Sequence, residues 1–429
     1  MVVGTCCRCQ TERPAETRKR ANVHGRILHY PYKVFTKNIS RILHWTIFSK
    51  PSLMLTAASP LKRLRPNIMS AVLTAQSLFP SSDETPSLQK LVQALNNAPV
   101  VSSCADVPEG KKKIGTHSGT FHCDEALGCA MLQLHPDWSG SAVVRSRDAS
   151  ELAKCDIVID VGAVYDHESR RYDHHQRSFD GILGRGFSTK LSACGLVYKH
   201  YGQEVIAALY PEHSADVDLF YDKLYSGFVE HVDAIDNGIE VADGPLKYSV
   251  STTLSSRVGS LNPRWNQKSS PEDSNERFRY AMLTTGRELL GKLHNMVSSW
   301  FPARSIVVDA VEKRKTVHPS GKVVLLDGYC PWGGHIHEVE KALNVDVPIE
   351  YVLYPDSSGK WRIQCVPVEP GSFQSRRKLP DPWCGVRDEA LSELTGIDGC
   401  IFVHAAGFIG GTQTKEGILE LAEKAVAFE

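Results

Sequence analysis

The rhythm of apolar and polar residues changes at Lys112. Before it no periodicity is sustained, and the stretch leading up to it is rich in Ser, Pro and Thr, so residues 1–110 read as a mostly disordered leader. After it, short apolar runs alternate with helical patterns, the mark of an α/β sheet. Lys113-Ile114-Gly115-Thr116 reads as a strand ending at His117. Asp124 opens a helix to about residue 135, with Leu127, Met131 and Leu134 on one face and carboxylates at its positive end. Residues 142–144 and 156–161 read as strands. The second is apolar enough to be central, with Asp160 at its carboxyl end, the edge where ligands gather in open α/β sheets. Residues 189–201, 215–235 and 275–300 read as helices, and 255–275 as a loop. Strand-like runs then fall at 306–308, 323–326, 349–353, 361–366 and 401–403, with helices near 335–343, 387–394 and 415–427. The pattern predicts two α/β domains, 111–300 and a smaller 301–429, with a cleft between them and a mainly parallel sheet in the first.

Charge alters the picture at the N-terminus. Of 49 Lys/Arg and 49 Asp/Glu, 13 basic residues but only Glu12 and Glu16 precede Asp83, leaving 36 basic against 47 acidic residues after it. A basic, acid-poor leader on an acidic body predicts a transit peptide and a mitochondrial matrix protein, with the nucleus as a second destination through Lys62-Arg63-Leu64-Arg65. No apolar run is long enough to suggest a membrane span. The 12 cysteines are scattered, as reduced thiols are, and Cys6-Cys7-Arg8-Cys9 lacks a matching Cys/His pair.

The chemistry lies in four clusters. His117, His122 and Asp124 occupy a strand-to-helix loop; Asp160 closes the apolar run Ile157-Val158-Ile159; Asp173-His174-His175 follows a charged hairpin-like stretch; and Glu230, Asp233 and Asp236 crowd a helix C-terminus, where bare carboxylates oppose the helix dipole. A carboxylate at a buried strand end costs several kcal/mol if unpaired, and a metal offsets that cost. Histidines with carboxylates suit Mn²⁺ or Mg²⁺, and two such ions about 3.5–4 Å apart can clamp an in-line displacement at phosphorus. Any one cluster is weak evidence, since a lone His-His pair is usually a surface feature; four in series point to a hydrolytic metal site.

The phrases GTHSGTFHCDEALGCAML, DIVIDVGAVYD, YDHHQ, FVEHVDAIDNG, PWCGVRDEAL and GCIFVHAAGFIGG resemble those of the MYG (melanocyte proliferating gene) exonuclease family, within the DHH phosphoesterase-like superfamily. The resemblance runs from about Lys112 to the C-terminus. It implies a two-domain DHH phosphoesterase-like architecture and two ions, Mn²⁺ or Mg²⁺. His117, His122 and Asp160 would hold one; Asp124, Asp160, His174 and an acid near Asp233 the other; Asp160 would bridge, and His175 would lie by the scissile phosphate. The first motif departs from the superfamily's His-x-x-x-Asp-x-Asp: His122 stands where an aspartate is common, which favours Mn²⁺. In the second half, Arg376, Arg377 and Lys378 resemble a phosphate-holding segment. The run from Val403 reads as a strand feeding a glycine-rich turn in which His404, Gly410 and Gly411 would bind substrate.

The function these readings imply is a metal-dependent 3′-5′ exonuclease on single-stranded RNA, or DNA. A hydrolase of small phosphoanhydrides or cyclic dinucleotides would use the same metals in a tighter pocket. A non-catalytic metal-binding regulator is the reading from another class, and the intact ligand set argues against it.

Overall fold

All four residues of Ala142–Arg145 are buried, which a strand achieves only when both faces of its sheet are covered. In the computed structural model, which describes residues 86–428, this strand lies inside a six-stranded sheet. Its members are β1 (Val100–Val101), β2 (Lys113–Thr116), β3 (Ala142–Arg145), β4 (Ile157–Ile159), β5 (Tyr165–Asp166) and β6 (Arg171–Tyr172), in the order β1-β3-β2-β4-β6-β5. Every neighbouring pair is parallel except β5–β6. Alternation along the strands divides their side chains between two cores. Ile114, Val143, Ile157 and Ile159 join the larger one, and Val144 and Val158 pack with Leu152 and Cys155 in a smaller one.

Five helical segments supply the larger core: α1 (Pro86–Asn96), α2 (Cys123–Leu134), α3 (Ala193–Leu209), the run 217–236 and the start of a long helix at Pro271. The run 217–236 is α4 (Val217–Leu224), a π-helical turn at Tyr225–Val229 and α5 (Glu230–Asp236). The long helix comprises α6 (Pro271–Asn295), a π-helical turn at Met296–Trp300 and α7 (Phe301–Glu312). It starts where the Ser270 hydroxyl accepts from the Asp273 N–H, with Pro271 in the first turn.

Three expectations change. The leader does not extend to 110: α1 buries Leu88, Leu91, Val92 and Leu95 at helical spacing, and β1 pairs with β3. The apolar run 306–308 is helix, not strand, for α7 buries Ala303, Val307, Ala310 and Val311 while Ile306 is exposed. Within 255–275, Leu254–Gly259 is a short helix. The rest of the basic leader and its Cys6-Cys7-Arg8-Cys9 run lie outside the described residues.

Downstream, β9 (Val323–Leu325), β10 (Tyr351–Pro355), β11 (Trp361–Cys365), β12 (Cys400–Val403) and β13 (Ile409–Thr412) form a mixed sheet in the order β12-β13-β11-β10-β9, with only β9–β10 parallel. Gly410 and Gly411 sit inside β13 rather than in a turn. A Cβ at Gly411 would collide with the Arg362 guanidinium and the Trp361 carbonyl, so the glycines admit a close strand neighbour. Among the described residues no helix is long and apolar enough to cross a membrane.

Candidate metal centre

The parallel strands β3, β2, β4 and β6 are successive neighbours, so their carboxyl ends reach one edge of the sheet. His117 follows β2, Asp160 follows β4, Asp173 and His174 follow β6, and Arg147 lies just past β3. Asp160 leaves its strand with φ of +57°, a left-handed conformation that costs a non-glycine residue roughly 1–3 kcal/mol. Its N–H still donates to the Tyr172 carbonyl at 3.0 Å, so the turn is fixed between two strands.

Among the described residues three ligand groups result, each with its atoms within 4.8 Å of one another: His117, His122, Glu125 and Asp160; Asp160, His174 and His175; and Asp124, His174 and Asp236. Asp160 and His174 are shared between groups. His117 Nε2 is 3.1 Å from Glu125 and 3.3 Å from Asp160. His174 Nε2 is 3.1 Å from Asp236 and 3.5 Å from Asp160, without the alignment of a hydrogen bond. Both oxygens of Asp124, Oδ1 of Asp160 and both ring nitrogens of His174 are buried with no hydrogen-bond partner among the described residues. Orphans of this kind cost 1–3 kcal/mol or more each unless something satisfies them. This oxygen-and-imidazole donor set fits a divalent cation such as Mn²⁺.

The electrostatics agree. Burial lifts the Asp124 carboxyl well above its ordinary range, and Asp160, Asp236 and Glu125 add to the rise. Burial opposes the charged form of His117, yet Asp160 and Glu125 together raise it to about 10; His174, likewise opposed by burial, is raised to about 9 by Asp160 and Asp236. Asp160 shows the reverse balance: burial disfavours its charge, but His117 and His174 bring it down to about 2.

His175 is exposed, and its Nδ1 lies 2.7 Å from Asp173 Oδ1. Asp173 also accepts from the N–H groups of His175 (3.0 Å) and Ala163 (2.6 Å), so it orients the neighbouring turn and ring. Arg147 braces His117 from behind, donating to the Ser118 carbonyl at 3.0 Å and lying 3.2 Å from His117 Nδ1.

Asp233 does not join the groups. Its buried carboxylate accepts from the Ser192 N–H (3.0 Å) and hydroxyl (2.7 Å) and from the Tyr225 hydroxyl (3.0 Å). Those contacts make it a structural acceptor, and Asp236, one helical turn on, stands by His174 instead. Glu125 ends the first sequence cluster but was given no metal by the sequence reading. Its place at the third helical position looks like capping, and it does accept from the His122 N–H at 2.8 Å.

The basic segment expected to hold substrate is engaged elsewhere. Arg376 makes a bidentate pair with Glu340, both bonds 2.7 Å, and donates to the Ile349 carbonyl. Arg377 contacts Glu350 and the Phe428 carbonyl, and Lys378 pairs with Asp381. His404 accepts from the Ala406 N–H within its own hairpin. None of these residues lines the cavity of about 660 Å³ that exposes Asp160, His174, His175 and Asp236.

Comparison with known proteins places this edge in context. The family model MYG1_exonuc, described as "Uncharacterised protein family (UPF0160)", matches residues 113–426. The proteins called MYG1 exonuclease in Mus musculus and Homo sapiens are each 50% identical over 324 residues; the match covers 73% of this chain and 85% and 86% of theirs. The MYG1 protein of Dictyostelium discoideum is 43% identical over 313 residues, 72% of this chain and 95% of its own length.

Proposed function

Because the chain belongs to the MYG1 exonuclease family, we propose that it is a metal-dependent phosphodiesterase that shortens single-stranded RNA, or DNA, from the 3′ end, with two Mn²⁺ or Mg²⁺ ions in a two-domain DHH-like architecture. The observation that carries the reading is the Asp124 carboxylate, fully buried, facing Asp236 and His174 and without a hydrogen-bond partner among the described residues. His117, His122, Glu125 and Asp160 would hold one ion, and Asp124, His174 and Asp236 the other, with Asp160 serving both. Bound there, divalent cations neutralise charge developing at phosphorus and make a water more acidic. Asp173 engages Nδ1 of His175, which leaves the exposed ring's Nε2 to exchange a proton with a substrate oxygen. The basic leader supports action in the mitochondrial matrix, with the nucleus second; a reporter fused to residues 1–70 that stays cytosolic overturns that assignment.

The cavity volume lies within the range of small-molecule sites, which favours hydrolysis of a small phosphoanhydride as the second reading. One experiment separates the two: purified protein with Mn²⁺ and end-labelled RNA, DNA or pyrophosphate, side by side. A ladder from the 3′ end of RNA supports exonuclease action. Turnover of pyrophosphate alone supports the small-molecule reading and removes the first.

A further inference from the structure

Two cations without acidic partners among the described residues line the same cavity as the ligand groups: Arg177, two residues past His175, and Lys190, the last residue of the hairpin strand β8 (Phe187–Lys190) that follows β7 (Ile182–Gly184). Among the described residues Arg177 makes no hydrogen bond or ion pair. Among the described residues the Lys190 ammonium pairs with no carboxylate, and it lies 5.5 Å from the centre of the Phe179 ring. Their backbones are nevertheless held in place. Gln176 donates to the Asp173 carbonyl at 2.9 Å, and the Phe179 N–H donates to the Gln176 carbonyl at 3.0 Å, folding the segment around Arg177 into a turn. Asn237, next to Asp236, donates to the Lys190 carbonyl at 3.0 Å and ties β8 to the helix end that carries Asp236.

A guanidinium near several carboxylates ordinarily pairs with one, as Arg376 does with Glu340. Arg177 and Lys190 share a cavity wall with Asp160 and Asp236 and pair with neither. An incoming anion therefore meets them without first breaking an ion pair, unlike the case at Arg376, Arg377 and Lys378. Arginine offers a planar fork to phosphate oxygens and lysine a point charge.

We infer that Arg177 and Lys190 form a second phosphate subsite, which takes the phosphate adjacent to the one cleaved. This rests on the phosphodiesterase reading and narrows its substrate class to strands with at least two consecutive phosphates, the inner one gripped while the terminal nucleotide is removed. The grip resides beside the metal ligands and not in the segment 376–378.

The test compares wild type with Arg177→Ala, Lys190→Ala, the double variant and Arg177→Lys, as full chains with Mn²⁺. The substrates are a short single-stranded RNA, pyrophosphate, and bis(p-nitrophenyl) phosphate, which carries one phosphate only. For RNA, each alanine should raise KM on the order of tenfold with kcat within about twofold, and lower the salt slope by about one. Arg177→Lys should recover part of the loss. Kinetics on the single-phosphate ester and manganese calorimetry should not move. Equal losses on RNA and on the single-phosphate ester, or an unchanged KM for RNA, overturn the subsite. If wild type turns over pyrophosphate but no RNA, and only pyrophosphate KM rises in the variants, the subsite stands and the exonuclease reading falls. If wild type turns over nothing, equilibrium binding of the same RNA decides: tenfold weaker binding by the double variant supports the subsite, and equal binding overturns it.

Discussion

The backbone of Gly195 and the carboxylate of Asp233 are so close that a Cβ at residue 195 would overlap both carboxylate oxygens. Together with Ser192 and Tyr225, this closes a cage around an acid that stands one turn from a candidate ligand, Asp236. The two acids should separate cleanly by mutation. Asp233→Asn turns an amide donor against groups that already donate, and Gly195→Ala overpacks the cage; each should cost about 1–3 kcal/mol in urea unfolding. Asp236→Asn should leave metal-free stability within about 0.5 kcal/mol and weaken manganese binding in calorimetry at least tenfold. A normal manganese affinity in Asp236→Asn with a lost one in Asp233→Asn would reverse the assignment.

Burial lifts the Asp233 carboxyl from an ordinary 3.8 to about 6, against hydrogen bonds from Ser192, Tyr225 and Cys194 that pull it down. The folded protein therefore holds this proton more tightly than the unfolded chain. The resulting stability is complete below about pH 4 and is lost as pH rises through 6, by about 3 kcal/mol in all. Unfolding of metal-free wild type minus that of Asp233→Asn, measured from pH 3.5 to 7.5, should show this fall. A difference that does not change with pH means the carboxyl is ionised throughout.

Manganese should displace protons. In the metal-free protein burial works against the charged forms of His117 and His174, but neighbouring carboxylates raise them to about 10 and about 9, so both carry a proton at neutral pH. Ligation needs neutral imidazole, so affinity should climb between pH 6 and 9 and binding should release at least one proton per ion. Calorimetry in two buffers of different ionisation enthalpy counts those protons. An affinity flat across that range contradicts the ligand assignment.

Arg376→Ala should act on stability, not on substrate. Its removal leaves Glu340, a mostly buried carboxylate, with the Ile349 N–H at 2.7 Å but no cation, and should cost about 1–3 kcal/mol. Thermal unfolding and RNA kinetics on the same preparation decide. A raised KM at unchanged melting temperature would return this arginine to the substrate-binding surface.

The ligand-rich edge of the sheet was legible in the sequence where chemistry coincided with strand ends. His117 and Asp160 each close a strand-like run, His174 stands in an Asp-His-His run after a charged stretch, and parallel pairing of β2, β4 and β6 brings the three together. Asp236 was not separable from Asp233, because both sit on one short helix and only the contacts of Ser192 and Tyr225 distinguish them. Helix α1 was hidden by the Ser/Pro-rich composition around it, although Leu88, Leu91, Val92 and Leu95 have helical spacing. The run 306–308 is β-branched and short, the case in which strand and buried helix look alike. Gly410 and Gly411 read as a turn because glycine usually marks one; here Gly411 makes room for Arg362, about fifty positions away, and Gly410 packs against Leu379 and the Phe402 carbonyl.

The π-helical turn at Tyr225–Val229 gives this region a tolerance in chain length at one place and none in the helix just beyond it. It holds one residue more than an α-helix would in the same turn, between α4 and the α5 that carries Asp233 and Asp236. Loss of one residue there would let the helix continue as ordinary α-helix with little net rotation of α5, whereas loss of one residue within α5 would turn all that follows by about 100°. Side-chain changes at Ser226 or Phe228 keep the count and should be borne. A single-codon deletion in the π-turn should therefore be mild, while the same deletion at Ala234 or Ile235 would swing Asp236 away from His174 and take the second ligand group apart without touching any of its members.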